Sequence, residues 1–225
     1  SSNGPMTHHG EPHAPPPTLG VSRFPRHLVR RQSSDHPPHW EDHLRIKYHG
    51  PILDPSGYAS AVRSSMIALH EQGHYVVARH HNFENQRPSL GYQRQCVELL
   101  LSRPTIVPHV RVFHMTPNVL LDCPHYRALL HASGIPNLVY FAWETTKLPE
   151  PWTTPLQLID GIIVPCQYQR QVIENAGIRT PIEVVGHPVN TRLFVPRLTN
   201  NQKITFYSIF QWSERKNPVA LLRAF

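Results

Sequence analysis

The chain has 225 residues, 40% of them hydrophobic, so it is long enough to form one large domain or two small ones around a buried core. A mean hydropathy of -0.37 and the lack of an apolar run near the ~20 residues that span a bilayer predict a soluble protein. Three widely spaced cysteines show neither zinc spacing nor a disulfide framework, and no signal-peptide pattern stands before the fold. We therefore expect a cytoplasmic location, with peripheral attachment at the inner membrane face as the alternative.

The net charge of +7 arises from 22 Lys and Arg against 15 Asp and Glu. Residues 1–43 contain four Arg and four acids, so the whole excess of positive charge falls on the later residues. A basic surface suits phosphate-bearing ligands, nucleic acid or an anionic membrane surface, and ordinary solubilising charge explains most of these residues equally well. We predict phosphate-bearing ligands and no nucleic-acid partner.

Residues 1–43 are predicted to be a disordered Pro/His-rich arm. Pro, His, Ser and Gly dominate there and leave too little apolar area to offset the entropy of ordering. The histidines of this stretch could bind metal loosely, but they lack regular ligand spacing, so we predict no metal site.

The first part of the fold predicts a strand, a glycine-containing loop, a helix and a second strand. Leu44–Tyr48 and Tyr75–Ala78 are the strands, and the helix between them has one apolar face and ends at Gly73. This order is that of a right-handed βαβ unit. Gly57 and Tyr58 lie at the end of the loop, where glycine lets the backbone approach an anionic or sugar ligand, although a purely structural turn is equally open. The Gly-x-Gly-x-x-Gly pattern of dinucleotide-binding oxidoreductases is absent.

Strands and helices alternate through the middle of the chain. The predicted elements are, in order, helix Tyr92–Leu101, strand Val110–His114, helix His125–Ala132, strand Leu138–Phe141, a helix around Trp152–Ile159, strand Ile162–Val164, helix Gln167–Asn175 and strand Ile182–Val185. This alternation predicts an α/β fold with a doubly wound, Rossmann-like parallel sheet. His114, at the end of its strand, is interpreted either as a site residue or as a satisfied structural histidine.

Two of these strands end abruptly in polar residues. Leu138–Phe141 is followed by Trp143-Glu144-Thr145, and Ile162–Val164 is followed by Pro165. Ligands of open parallel sheets bind outside the carboxyl ends of the strands, so these ends predict the mouth of a site with Glu144 as its sharpest candidate. The alternative is that Glu144 caps the following helix or pairs with Lys147.

The character of the sequence changes after Asn190. Residues 44–190 are predicted as the first domain, residues 191–202 as a linker, and residues 203–225 as the first strand and helix of a second domain that is truncated. The strand is predicted at Ile204–Phe210 and the helix at Val219–Phe225, with Pro218 in its first turn. We expect this apolar piece to dock on the first domain or to pair with a second copy, and the alternative is that it remains disordered.

Five stretches in this order resemble one family. They are the loop Gly50–Tyr58, Trp143-Glu144-Thr145 with Leu148-Pro149 and Trp152, Asp160–Pro165, Val185–Asn190 with Phe194 and Pro196, and Arg215-Lys216-Asn217-Pro218. The chain resembles the family 4 retaining glycosyltransferases of GT-B architecture over residues 45–225. The resemblance implies two facing Rossmann-like domains, of which residues 44–190 form the acceptor-side one.

The resemblance also implies roles for individual positions on the first domain. Gly57 and Tyr58 line the cleft below the diphosphate of the donor. Glu144 and Thr145 stand where the family often has an active-site histidine, so this chain departs from the family there, and Glu144 is the residue we predict to be catalytic. His114 and Thr145 are further candidates for the cleft.

Three matched positions lie near or beyond the end of the first domain. Asn190 is implied at the crossing between the domains, as a candidate cleft residue. Arg215 and Lys216 match the basic pair that binds the donor phosphates. This role fits the chemistry, because transfer from a nucleotide sugar expels a diphosphate whose negative charge grows in the transition state.

The sequence therefore predicts a glycosyltransferase that moves a sugar from a nucleotide-sugar donor to a glycan or lipid-linked acceptor with retention. The nucleotide sugar is a substrate, and we expect neither a cofactor nor a metal. The alternative is a non-catalytic module of the same fold that binds or assembles and is completed by another chain. In either case the 225-residue chain alone is expected to be inactive, because most of the donor side of the cleft is missing from it.

Overall fold

The computed structural model describes residues 43–82, 90–131, 134–196, 204–210 and 212–225. The predicted arm therefore lies outside the described residues except for His43, and so does part of the predicted linker. The chain divides into two compact units, residues 1–189 and residues 190–225.

The first unit alternates strands and helices as the sequence predicts. Its elements are β1 (Arg45–Gly50), α1 (Gly57–Glu71), β2 (Tyr75–His80), α2 (Arg94–Ser102), β3 (Val110–His114), α3 (Pro117–Asp122), α4 (Pro124–His131), β4 (Asn137–Tyr140), α5 (Thr153–Leu158), β5 (Gly161–Val164), α6 (Gln167–Asn175) and β6 (Ile182–Val184). Short 3-10 turns precede α2 at Gly91–Gln93 and α5 at Glu150–Trp152.

The six strands form one parallel sheet in the order β2-β1-β3-β4-β5-β6, with helices between them. This arrangement confirms the prediction of an α/β, doubly wound, Rossmann-like fold. The chain leaves β1 toward β2 on one side and continues from β3 on the other, so the strand order reverses between β1 and β3. Ligands of such sheets bind at the carboxyl ends of the strands beside this switch point.

Local sequence signals explain where α1 begins and ends. The Ser56 hydroxyl accepts a hydrogen bond from the Ala59 N–H at 3.1 Å and so caps the helix. Gly73 follows the helix with a φ of +90°, a conformation that favours glycine, as the predicted helix end requires. Helix α3 is an element that the sequence reading missed, although Thr116 followed by Pro117 is a start signal for a helix.

Two clusters of buried side chains form the core of the first unit. The first cluster consists of side chains from α1, α2, β1 and β2, including Val62, Met66 and Val76. The other gathers β4, β5 and the helices around them, including Val139 and Ile162. Tyr58, on the first turn of α1, packs against both clusters.

The second unit contains a 3-10 turn at Glu214–Lys216 and the helix α7 (Pro218–Ala224). Asn217 caps α7, accepting a hydrogen bond from the Ala220 N–H at 3.3 Å. The prediction of a strand at Ile204–Phe210 is wrong, because this segment has no regular secondary structure. A strand needs a hydrogen-bonded neighbour, and the described residues of this unit contain no strand that could pair with it.

Within the described ranges, no helix combines the length and the apolar character that crossing a membrane requires.

Candidate functional site

The carboxyl ends of β1, β3 and β4 lie beside the switch point of the sheet, and their last residues are Gly50, His114 and Tyr140. We name this end of the sheet the switch edge. His114 and Tyr140 are partners in the register of β3 and β4. Tyr48 precedes them on the same face, because it pairs with Val112, two residues before His114. Helix α1 begins above this edge and adds Tyr58. The ring cluster, as we name it, consists of Tyr48, Tyr58, His114, Tyr140 and His187.

Gly50 allows these elements to approach each other closely. A Cβ atom at this position would lie 2.9 Å from Val62 Cγ1 and 3.0 Å from the carbonyl oxygen of His114. Both distances are shorter than ordinary carbon contacts, so only glycine fits between α1 and β3. The residue thus holds the first turn of α1 against the strand ends.

His114 lies at the centre of the ring cluster and is fully buried. Its Nδ1 is 2.7 Å from the Tyr48 hydroxyl, and its ring stacks on Tyr140 with 4.2 Å between ring centroids. Tyr58 contacts the same imidazole edge-on at 5.4 Å. Burial, with a smaller contribution from His187, lowers the pKa of His114 to about 3. His114 is therefore a neutral imidazole at physiological pH.

One nitrogen of His114 stays without a hydrogen bond. Nε2 is buried and has no partner in the part of the chain that the structure describes. Buried polar atoms are nearly always paired, and an exception points to a ligand, a water molecule or a functional role. His114 was interpreted either as a site residue or as a satisfied structural histidine. Nδ1 is hydrogen-bonded, as expected of a structural histidine, whereas Nε2 lacks a partner among the described residues, as expected of a site residue.

Tyr140 connects the cluster to His187 and fixes the tautomer of that histidine. The Tyr140 hydroxyl lies 2.7 Å from the Val185 carbonyl oxygen and 2.9 Å from His187 Nδ1. A carbonyl oxygen can only accept, so the hydroxyl donates to Val185, and His187 Nδ1 carries the proton that it donates back to Tyr140. His187 Nε2 is then an acceptor. Burial raises the pKa of Tyr140 to about 12 and lowers the pKa of His187.

Sequence reasoning did not select Tyr48, Tyr140 or His187 as site residues. Tyr48 and Tyr140 read as ordinary apolar residues of buried strands. His187 carried a usable signal, since it follows the end of β6 within Gly186-His187-Pro188, as Glu144 follows β4.

The loop after β4 is held by Gln169 of α6. This side chain is 1% exposed. Its Nε2 donates to the Phe141 carbonyl at 2.8 Å, and its Oε1 accepts from the Trp143 N–H at 3.0 Å. The polar loop therefore leaves the strand in a fixed direction.

Glu144 and Thr145 occupy this loop beyond the strand end. The Glu144 side chain is exposed and so is not buried in the sheet. That it faces a cleft stays a prediction. The Thr145 hydroxyl donates to the Lys147 carbonyl at 2.9 Å, and the Trp143 Nε1–H donates to the same oxygen at 2.8 Å. Thr145 thus stabilises the loop, and its role in a cleft stays a prediction.

The loop between β1 and α1 is shaped by the buried Arg63 of α1. Its Nη1 donates to the carbonyl oxygens of Ile52 at 2.8 Å and Asp54 at 3.2 Å. Its Nε donates to Gln93 Oε1 at 3.1 Å. Gly57 follows this loop, and a Cβ there would meet no atom within 4 Å. Packing does not require glycine at this position, so the space beside it is open for a ligand.

The remaining candidates belong to the second unit. Asn190 closes a turn, because its Oδ1 accepts from the N–H groups of Arg192 and Leu193, each at 3.1 Å. Arg215 and Lys216 are exposed on the 3-10 turn before α7. Their assignment to donor phosphate stays a prediction.

The structure thus brings Tyr58 and His114 together and sets Gly57 at the start of the same helix turn. Among the described residues, no group of three or more His, Cys, Asp or Glu side chains could hold a metal ion. No protein-family model matches this chain, and no curated protein matches it.

Proposed function

We propose that the first unit is the acceptor-side domain of a retaining glycosyltransferase that uses a nucleotide-activated sugar. The observation that carries the proposal is the ring cluster at the switch edge of the parallel sheet. Binding sites for small molecules combine aromatic walls with a few polar atoms that fix orientation, and they occur preferentially at such switch points. In this cluster, Tyr58 and Tyr140 supply the walls, and His114 Nε2 and His187 Nε2 supply polar atoms.

Hydroxyl-rich ligands fit this set of groups. A sugar presents hydroxyls that both donate and accept hydrogen bonds, together with apolar C–H faces that pack on aromatic rings. His114 is neutral and therefore adds no positive charge to the ring cluster. Gly57 leaves the first turn of α1 accessible to the donor, and the N-terminus of a 15-residue helix favours a diphosphate.

Glu144 of the first unit and the basic pair of the second unit each have a separate role in the proposal. Glu144 stands in the loop after β4 and is the proposed catalytic carboxylate. Arg215 and Lys216 are the proposed phosphate ligands, since Arg grips phosphate through two N–H groups and Lys adds a point charge. Neutralising the expelled diphosphate lowers the barrier because its charge grows toward the transition state.

Nuclear magnetic resonance titration of the 225-residue protein tests the proposal. Nucleoside diphosphates and a panel of oligosaccharides are added to protein labelled in its backbone amides and histidine rings. We expect shifts at the amides of Gly50, Gly57 and Tyr58 and at the ring of His187, with no shift at Arg170 on α6. The proposal fails if no ligand of either class perturbs this edge.

A second candidate, a binding or assembly module completed by another chain, is favoured by the exposed apolar side chains of the second unit. Ile209 is 90% exposed and Phe225 is 97% exposed. Large exposed apolar surface is typical of interaction sites. Light scattering over a concentration series tests this candidate, and a mass that stays monomeric throughout would remove self-association as its basis.

A further inference from the structure

Three cations lie side by side on the sheet face opposite the ring cluster. Lys47 on β1 and Arg111 on β3 are direct register partners. Arg79 on β2 pairs with His49, which follows Lys47 by two residues and therefore points to the same side. Tyr48 lies between them in sequence and points to the other side. We name Lys47, Arg79 and Arg111 the cationic triplet.

No acid neutralises the cationic triplet within the described ranges. The two arginines donate hydrogen bonds to neutral oxygens, those of Asn137 and Ile135 for Arg111 and those of Ala78 and Thr105 for Arg79. Arg94–Glu98 and Arg170–Glu174 are ion pairs of the described residues, and both lie elsewhere on the fold. In the part of the chain that the structure describes, the two guanidinium charges are compensated by dipoles.

This arrangement costs folding free energy. Like charges on adjacent strands repel each other, and burial strengthens the repulsion. Burial first, and then the charges of Arg79 and Arg111, lower the pKa of Lys47. Burial first, and then cations that include the whole triplet, lower the pKa of His49 to about 3. A positive potential thus fills this part of the sheet face.

We propose that the cationic triplet binds a small soluble anion that carries a diphosphate group. Arginine and lysine are the side chains that most often hold phosphate oxygens, and three cations match a multiply charged anion better than a single carboxylate. The N–H groups that remain after the hydrogen bonds to Ala78, Thr105, Asn137 and Ile135 are the donors for such an anion. The site is recessed, because Arg111 is 7% exposed while Lys47 and Arg79 are partly buried. A small anion reaches such a recess, whereas a flat membrane surface does not.

The site is independent of the proposed glycosyltransferase function. It uses the opposite sheet face and none of the ring cluster, so either proposal can fail while the other holds. His49, neutral and stacked on Phe113 at 5.0 Å between ring centroids, forms its apolar border.

Calorimetric titration of pyrophosphate into the 225-residue protein tests the inference. We expect binding that weakens as salt is added, because small ions screen the attraction. Arg79→Gln should lower the affinity about ten- to hundredfold, the effect of losing a charge-assisted contact. Arg179→Gln is the matched control. Arg179 is exposed in the loop before β6, so this substitution removes the same charge at a site away from the cationic triplet. Its affinity should stay within about twofold of the parent protein.

Lys47→Met supplies a second readout that does not depend on affinity alone. Removing one of three repelling charges should raise the melting temperature without ligand and should abolish the further rise that pyrophosphate gives the parent protein. The inference is overturned if pyrophosphate does not bind, or if Arg179→Gln weakens binding as much as Arg79→Gln does. It is also overturned if the protein binds vesicles that contain phosphatidylserine but does not bind pyrophosphate.

Discussion

Mild acid should destabilise this protein steeply, because two histidines are buried in their neutral form. His49 is 2% exposed and His114 is 0% exposed, and burial is the largest cause that lowers the pKa of each to about 3. In the unfolded chain the same groups have a pKa of about 6.5. Their folded pKa is depressed, so the stability that they contribute is complete above about pH 6.5 and is lost as the pH falls toward 3. In this pH window the two histidines bind protons in the unfolded chain but not in the folded chain.

The size of the loss follows from proton linkage. Each such histidine removes about 1.4 kcal/mol of unfolding free energy per pH unit, and the pair removes about 2.7 kcal/mol per unit. Between about pH 6.5 and pH 4.5 the pair costs about 5 kcal/mol, which is comparable with the ~5–15 kcal/mol that stabilises a typical domain. We expect the first unit to unfold near the lower end of this range.

Urea titrations at about one-unit steps from pH 7.5 to pH 4.5 measure the slope. His49→Phe should keep the ring contact with Phe113 while removing one titrating group, so it should halve the slope. Gln157→Ala, an exposed change on α5 that removes no titrating group, should leave the slope unchanged. Equal slopes for His49→Phe and the parent protein would refute the reasoning.

Three further predictions concern the site. Gly50→Ala should cost about 1–3 kcal/mol of unfolding free energy because its Cβ meets Val62 at 2.9 Å, whereas Gly57→Ala should be nearly neutral in urea titrations; equal effects would contradict this account of packing. In the enzyme completed with its donor-side domain, Glu144→Gln should lower sugar transfer at an unchanged melting temperature, and full activity would remove Glu144 from the mechanism. In the same completed enzyme, Lys216→Ala should weaken binding of a nucleoside diphosphate about ten- to hundredfold with little effect on the nucleoside, and calorimetry that finds equal losses would argue against a phosphate contact.

Much of the fold could be predicted from the sequence because strands and helices alternate and glycine residues mark the ends of several helices. Strand Val110–His114 and helix Gln167–Asn175 lie where the pattern predicts them, to the residue. Gly73, Gly134 and Gly177 follow helices with positive φ, as residues after a helix end often do. The strand order could not be predicted, because it depends on which edges pair after the chain has collapsed.

The errors have physical causes. Helix α3 has six residues, too few for an apolar period to emerge beside the end of β3. Ile204–Phe210 has the composition of a buried strand, but composition alone does not supply a neighbouring strand.

The ring cluster could be predicted only in part. His114 stands at a strand end, which the pattern marks. Tyr140 meets His114 through the register of β3 with β4, and His187 joins through ring stacking and a hydrogen bond across 47 residues. Such contacts depend on tertiary geometry that no local pattern encodes.

Tyr58, which packs against both buried clusters, gives the first unit a mechanical link between its two halves. Its hydroxyl also donates to the Tyr140 carbonyl at 3.4 Å. Native-state hydrogen exchange should therefore find a single cooperative unit, in which β1 and β5 open together. Tyr58→Ala should divide that unit into two foldons with different opening free energies. In the parent protein, a ligand bound at the first turn of α1 should therefore slow the hydrogen exchange of the whole sheet together.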